Sequence, residues 1–230
     1  MNNQTAVLAL INIAAGSNGW GLSRYVLGKS PFTGISGLRF CKVLGSGFNG
    51  GFSTKPSLTK QGFICVFDSQ ENASTFLDNA SILQAYRDHS SEMFTATLQA
   101  YSSRGSWSGF SIQSSGIKPD KGPIASLTRA SIRPTKAMQF WRKAKPAEDS
   151  IIHANGKILT AGLGEAPYLR QATFTIWDDE QSLDHYAQQG AHLAAIKAAY
   201  GKDYFSESMF TRFVVRSAQG VWQGKHVEIS

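Results

Sequence analysis

The chain has 230 residues, 42% of them hydrophobic and 17% charged, and carries a formal net charge of +7. It is too apolar for a disordered segment and long enough for one large core or two small ones. Two cysteines exclude a disulfide scaffold, and no run approaches the ~18 apolar residues of a membrane-spanning helix.

The opening stretch MNNQTAVLALINIAAGSNGW has no basic residue ahead of its apolar run, and Asn12 interrupts that run. A secretory signal needs a basic leader, so a soluble, cytoplasmic chain is expected. The alternating segment 6–13 predicts a strand. A short helix is expected over 22–27, then strands over 38–44 and 63–67. Asp68 and Ser69 offer a cap for the helical stretch that follows, and a last strand runs through 95–101.

After SSGIKPDKG (114–122) the pattern restarts. A strand is expected over 124–132 and a helix over 135–143, with Pro134 in its first turn. Strands over 157–161 and 172–177 come next. A helical stretch capped at Asp178 and Asp179 breaks at Gly190 and resumes from about 191, and a strand covers 209–216. Positive charge is spread along the chain, with a loose cluster over 129–145. It reads as a solvated basic surface, or as attraction to an anionic partner such as a membrane surface. No nucleic-acid-binding motif is present, so nucleic acid is not an expected partner.

Two phrases fit S-x-x-G-x-W-x-G: SSRGSWSG at 102–109 and SAQGVWQG at 217–224. Trp177 stands 110 residues after Phe67, and Trp222 stands 115 after Trp107, so the second copy carries about five extra residues, assigned to YGKDYF at 200–205. The chain reads as two diverged copies of one βαββαβ, ferredoxin-like unit, 1–113 and 122–230. A lone unit leaves one sheet face bare, so the copies are expected to pack sheet against sheet or to close a barrel with helices outside. The expected fold class is α+β: two tandem ferredoxin-like repeats forming a dimeric-α+β-barrel-like unit in a single chain. The tryptophan phrase marks the end of each last strand.

The second helical stretch separates the copies chemically. His192, Ala195, Ile196 and Ala199 share one helical stripe, and the matching stripe in the first copy is Ile82, Ala85, Tyr86 and His89. An imidazole replacing an isoleucine among small neighbours is either a hydrogen-bonded core residue or a ligand, and haem iron is commonly held in this way. His89, His153, His185 and His226 are expected to be solvated or capping. No zinc pattern occurs, and Cys41 and Cys65 read as small core residues of strands. The segment GSGFNGGFSTKP (45–56) lacks the marks of a P-loop or a dinucleotide fingerprint. It is either a flexible hairpin connection or, through Gly45, Gly47, Phe48, Gly51 and Phe52, the border of a ligand pocket. No Ser-His-Asp order or paired-carboxylate motif stands out.

Six segments together resemble the spheroidene monooxygenase family, acyclic carotenoid ketolases: KVLGSGFNGGF (42–52), SRGSWSG (103–109), LTRASIRPTKAMQFWR (127–142), GLGEAPYLRQATFTIW (162–177), GAHLAAIKA (190–198) and FTRFVVRSAQGVWQG (210–224). The resemblance implies an oxygen-dependent monooxygenase that installs a keto group on a linear carotenoid, with haem as cofactor, dioxygen as co-substrate and an external electron donor. It also implies a dimeric α+β barrel, with oligomerisation open. His192 falls where haem-binding members of that superfamily carry an axial histidine, and Arg104, Arg129 and Arg170 are candidate contacts to propionates or oxygen. A carotenoid must be collected from lipid, which implies peripheral membrane contact, although no docking helix stands out. Two other readings stay open: a haem enzyme of different chemistry, such as a dehydratase or haem-handling protein, and a non-enzymatic module holding a small apolar ligand.

Overall fold

Both faces of the first strand are apolar, and the computed structural model shows why. In β1 (Thr5–Ile13) the residues Ala6, Leu8 and Leu10 face one core, while Val7, Ala9, Ile11 and Ile13 face another. A strand buried on both sides belongs in a wall between two layers. The structure describes residues 4–51, 55–166, 168–188 and 203–230, and the side chains of 143–149 are outside that description. Phe52, His192 and the expected helix break at Gly190 lie outside the described residues.

The first run of elements continues with α1 (Asn18–Leu27), β2 (Leu38–Gly47), β3 (Pro56–Phe67), α2 (Gln70–Asn79), α3 (Ser81–Asp88) and β4 (Ser90–Gly105). The second comprises β5 (Ile124–Ile132), α4 (Ala137–Ile152), β6 (Lys157–Ala166), β7 (Arg170–Trp177), α5 (Glu180–Gln188), β8 (Phe205–Trp222) and β9 (Lys225–Ile229). The strands are antiparallel in the order β4-β1-β3-β2-β6-β7-β5-β8-β9, and β4 also pairs with β8. The first eight strands therefore close on themselves, leaving β9 as a hairpin arm of β8. The orders 4-1-3-2 and 2-3-1-4 within the two halves are ferredoxin-like. The fold is α+β, two such units joined as one barrel, with a continuous apolar interior that includes Leu8, Ile64, Leu127 and Phe174.

Several boundaries differ from the sequence expectation. The helix expected over 22–27 starts earlier, at Asn18, and that expected over 135–143 is a 3-10 turn at Pro134–Lys136 followed by α4, which runs to Ile152. In the first unit the helical stretch divides at Ala80 into α2 and α3, with Ser69 capping α2 by accepting from Asn72 N–H at 3.1 Å. The strands expected over 95–101 and 209–216 are much longer, because the polar end of each pairs with the earlier part of the other across the closure of the barrel. The glycine-rich connection is shorter than expected, since β2 runs through Gly47 and β3 starts at Pro56. Cys41 and Cys65 are free and buried.

The duplicated phrase is a duplicated hairpin lock. Ser108 and Gly109 have φ of 52° and 76°, and Gln223 and Gly224 have 53° and 73°. Two consecutive positive φ values make type I′ turns, which suit the twist of tight hairpins. Glu207, near the start of β8, accepts from Gly109 N–H at 3.0 Å. Glu92, near the start of β4, accepts from Gln223 and Gly224 N–H at 3.0 and 2.9 Å. Each unit's terminal turn is thus held by a carboxylate of the other. The first glycine of each phrase is fixed by space as well as by φ: a Cβ on Gly105 would overlap Ser208 O, and one on Gly220 would overlap Met93 O. With φ at +116°, Gly220→Ala combines left-handed strain with overpacking. It is expected to destabilise the fold by about 3 kcal/mol, read as a lower urea midpoint at unchanged slope; an unchanged midpoint would contradict the lock.

Candidate active site

The barrel closes weakly on one side. There β2 and β6 pair only through Gly45 with Gly164 and Ser46 with Leu163. Glycines let the backbones approach: Gly162 N–H donates to Gly50 O at 3.0 Å, and Ser46 Oγ–H donates to Gly162 O at 2.7 Å. A Cβ on Gly162 would overlap the Gly51 backbone. Over this seam, between α1 and α4, lies a cavity of about 300 Å³. Its walls include Leu22 and Tyr25 from α1, Leu58 from β3, Trp141 from α4 and Tyr168 from the β6–β7 turn. Trp141 is braced by donating its indole N–H to Tyr168 O at 2.9 Å. Tyr25 O–H donates to Lys60 O at 3.5 Å, and burial pushes the phenol up to about 12.

Gly45, Gly47 and Gly51 line this cavity. Phe48, next to Gly47, is 60% exposed and is not part of the lining. Arg104, near the end of β4, and Arg170, at the start of β7, are exposed, and neither lines the cavity.

Arg129 sits elsewhere, 2% exposed at the heart of a charged cluster. It donates to Glu165 Oε2 at 3.1 Å and, through its other terminal nitrogen, to Glu207 Oε2. Its guanidinium carbon lies 5.5 Å from the centre of the Trp107 ring. Glu165 also accepts from Lys42 Nζ at 2.8 Å and from the Trp107 indole at 2.9 Å. Burial raises the Glu165 carboxyl, but bonds from Lys42, Trp107 and Arg129 outweigh it and hold the group below the usual carboxylate range. Burial likewise raises Glu207, while Gly109 and Ser108 N–H, Ser106 and Arg129 bring it down to about 2. Two cations thus face two carboxylates, a balanced set of the kind a low-dielectric site tolerates. Because Glu165 also lines the cavity, this node fixes an ionised, fully engaged carboxylate in its wall.

Sequence reasoning missed Lys42, Glu165 and Glu207, and it did not give Trp107 a donor's role. A signal was available for the first two. Each is the lone charge in an otherwise apolar or glycine-rich strand run, CKVLGSG and ILTAGLGEA.

The helix-facing side of the sheet differs between the units. In the first, Val7, Cys65 and Cys41 form one row across three strands, and Ala9, Phe63 and Val43 form the next. Register places Ser126, Thr175 and Thr160, then Thr128, Thr173 and Gly162, at the same places in the second. Phenylalanine has become threonine and valine has become glycine, so the second face is shallower and carries hydroxyls. In the first unit α2 and α3 cover this face with Phe76, Ile82 and Tyr86. By the 110-residue offset, the counterpart of Ile82 is His192, outside the described residues.

No family model matches the chain. It is 46% identical to the spheroidene monooxygenase of Rubrivivax gelatinosus over 219 residues, 95% of this chain and 85% of that one. It is 31% identical to the spheroidene monooxygenase of Rhodobacter capsulatus, over 90% of this chain and 87% of the relative. Among solved structures, an aldoxime dehydratase in complex with butyraldoxime matches with a TM-score of 0.56 at 8% identity, covering 92% of this chain and 79% of that one. At that identity the likeness shows a common fold alone. Likeness in sequence along nearly the whole chain carries more, and it makes this protein a member of the spheroidene monooxygenase family.

Proposed function

We propose that the protein uses dioxygen to oxygenate an extended apolar polyene of the linear-carotenoid class, with haem as its redox group. Family membership supports the reaction type, and the cavity at the glycine-rich seam supports the substrate class. Its walls are aliphatic and aromatic, and its glycines expose flat backbone against which a rigid, planar chain can lie. A linear carotenoid is far longer than a cavity of about 300 Å³, so one end of the substrate enters and the rest remains outside. Tyr25, Ser46, Ser57, Glu165 and Gln171 are polar residues of the wall. With Lys42, Trp107 and Arg129 occupying both oxygens of Glu165, the carboxylate is a fixed acceptor and not a proton donor.

The single observation that favours a prosthetic group is the shallow helix-facing side of the second unit. Replacement of Val7 and Phe63 by Ser126 and Thr173 removes side-chain volume without loss of pairing register. Those residues fit a flat group, which His192 would hold. When bound, haem supplies the one-electron and oxygen chemistry that no side chain has.

Each hydroxylation consumes one dioxygen, two electrons from an external donor and two protons, and releases one water. Two successive hydroxylations of one methylene give a gem-diol, which loses water to the ketone. With haem-loaded protein, a chemical reductant and ¹⁸O₂, a linear carotenoid is expected to gain label in a hydroxyl or keto group. Product lacking the label, or no product from haem-loaded protein, would overturn the reading.

A further inference from the structure

The surface around the cavity mouth is apolar and bare. Val26 is 89% exposed one turn from the wall residue Leu22, and Met138 is 72% exposed one turn from Trp141. Phe48, Leu58 and Tyr168 are also exposed, and the last two line the mouth itself. Large apolar side chains clustered at one opening mark a contact surface and not scattered exposure.

The charge around them has one sign. No Asp or Glu occurs in residues 1–67 or 121–147, the two stretches that supply α1, the glycine-rich turn, the start of β3 and the first turns of α4. Lys55 Nζ and Lys60 Nζ lie 5.1 and 5.9 Å from the Phe48 ring centre, and Lys29, just beyond α1, and Arg142, in the second turn of α4, are exposed. Glu165, the one acidic residue of the cavity wall, is already ion-paired to Lys42 and Arg129. Among the described residues no helix is long and apolar enough to cross a membrane, so contact by this face would be peripheral.

We infer that the mouth between α1 and α4 docks on an anionic lipid surface, inserting Val26, Phe48, Leu58 and Met138 among the acyl chains while the flanking lysines and arginines meet the headgroups. This rests on the apolar-substrate reading above: the part of a polyene too long for the cavity stays in hydrocarbon and never crosses water. Apolar insertion and basic attraction are the two contributions that interfacial binding needs together.

Co-sedimentation of the full chain with phosphatidylglycerol-containing vesicles tests it, against pure phosphatidylcholine vesicles. Binding is expected only with the anionic vesicles, weakening as salt rises. Phe48→Ser, and separately Val26→Ser with Met138→Ser, should each reduce partitioning roughly tenfold or more. Ile117→Ser, an exposed apolar change in the segment joining the two units, should leave it unchanged. Val26→Ser with Met138→Ser should also keep activity on detergent-dispersed substrate while losing it on vesicle-held substrate. Equal binding to both vesicle types, no binding at all, or full binding by the mouth variants would overturn the inference. Those results would leave the oxygenase reading standing, because the detergent assay tests that reading by itself.

Discussion

Replacing His192 by alanine is expected to leave a folded chain that takes up no haem, shows no Soret band and loses activity by more than about 100-fold. Even the outer partners of a metal ligand are worth roughly 10–100-fold, and here the proposed ligand itself is removed. By the 110-residue offset its counterpart in the first unit is Ile82, an ordinary core residue, so the repeat itself does not call for a histidine. The described histidines have other settings. His89 closes α3, its Nδ1 2.8 Å from Ala85 O and its ring stacked 4.3 Å from Trp20. His153 follows the end of α4, His226 lies in β9, and His185 is an exposed residue of α5. His185→Ala is therefore expected to keep both the Soret band and activity. Circular dichroism of each variant separates loss of ligand from loss of fold. Undiminished haem uptake by folded His192→Ala, or failure of the unaltered chain to take up haem, would return His192 to the core.

The two-unit barrel was legible because its signals are local and periodic. Alternation marked the strands, and the S-x-x-G-x-W-x-G phrase marked the repeat. The strand ends were not legible, since SSRG and SAQG look like loop. They become strand only where β4 and β8 meet, at Gly105 against Met209 and at Phe94 against Gly220. The arm β9 was missed for a related reason: KHVEI is short, and only the type I′ turn at Gln223 and Gly224 brings it back onto β8. The cavity was half legible. Glycine spacing pointed to 45–51, but the opposing Gly162 and Gly164 and the walls from α1 and α4 become neighbours only through barrel closure. The charged node was legible only as separate charges, Arg129 singled out and Lys42 and Glu165 each alone in an apolar or glycine-rich run. Its bonds join Arg129 to Glu165 across 36 residues, Trp107 to Glu165 across 58 and Arg129 to Glu207 across 78, and no local pattern encodes such pairings.

That node carries an expected effect on stability as large as that of Gly220→Ala. Arg129→Met keeps most of the buried volume but removes the cation between Glu165 and Glu207. Breaking a buried ion pair from one side typically costs 3–5 kcal/mol. The low end, about 3 kcal/mol at pH 7, is expected here because Lys42 and Trp107 still serve Glu165, and Gly109 and Ser106 still serve Glu207. The pH dependence gives the sign. In the unaltered protein Glu207 is depressed from an ordinary 4.5 to about 2, so its contribution is complete above the ordinary value and is lost only as pH falls toward about 2. Stability should therefore be nearly flat from pH 7 to 5. Without Arg129 the cluster carries a net negative charge, and both carboxyls shift upward. Lys42, Trp107, Gly109, Ser108 and Ser106 still hold both carboxyls down, so protonation relieves the variant only in the acid range and its deficit should narrow as pH falls from 5 to 3. Adding Glu207→Gln to Arg129→Met should recover part of the loss at pH 7, since it removes the uncompensated charge. Urea midpoints of the three proteins at pH 7, 5 and 3 decide the matter. An Arg129→Met chain as stable as the parent, or a deficit that ignores pH, would mean that Arg129 is held by packing against Trp107 and not by its two carboxylates.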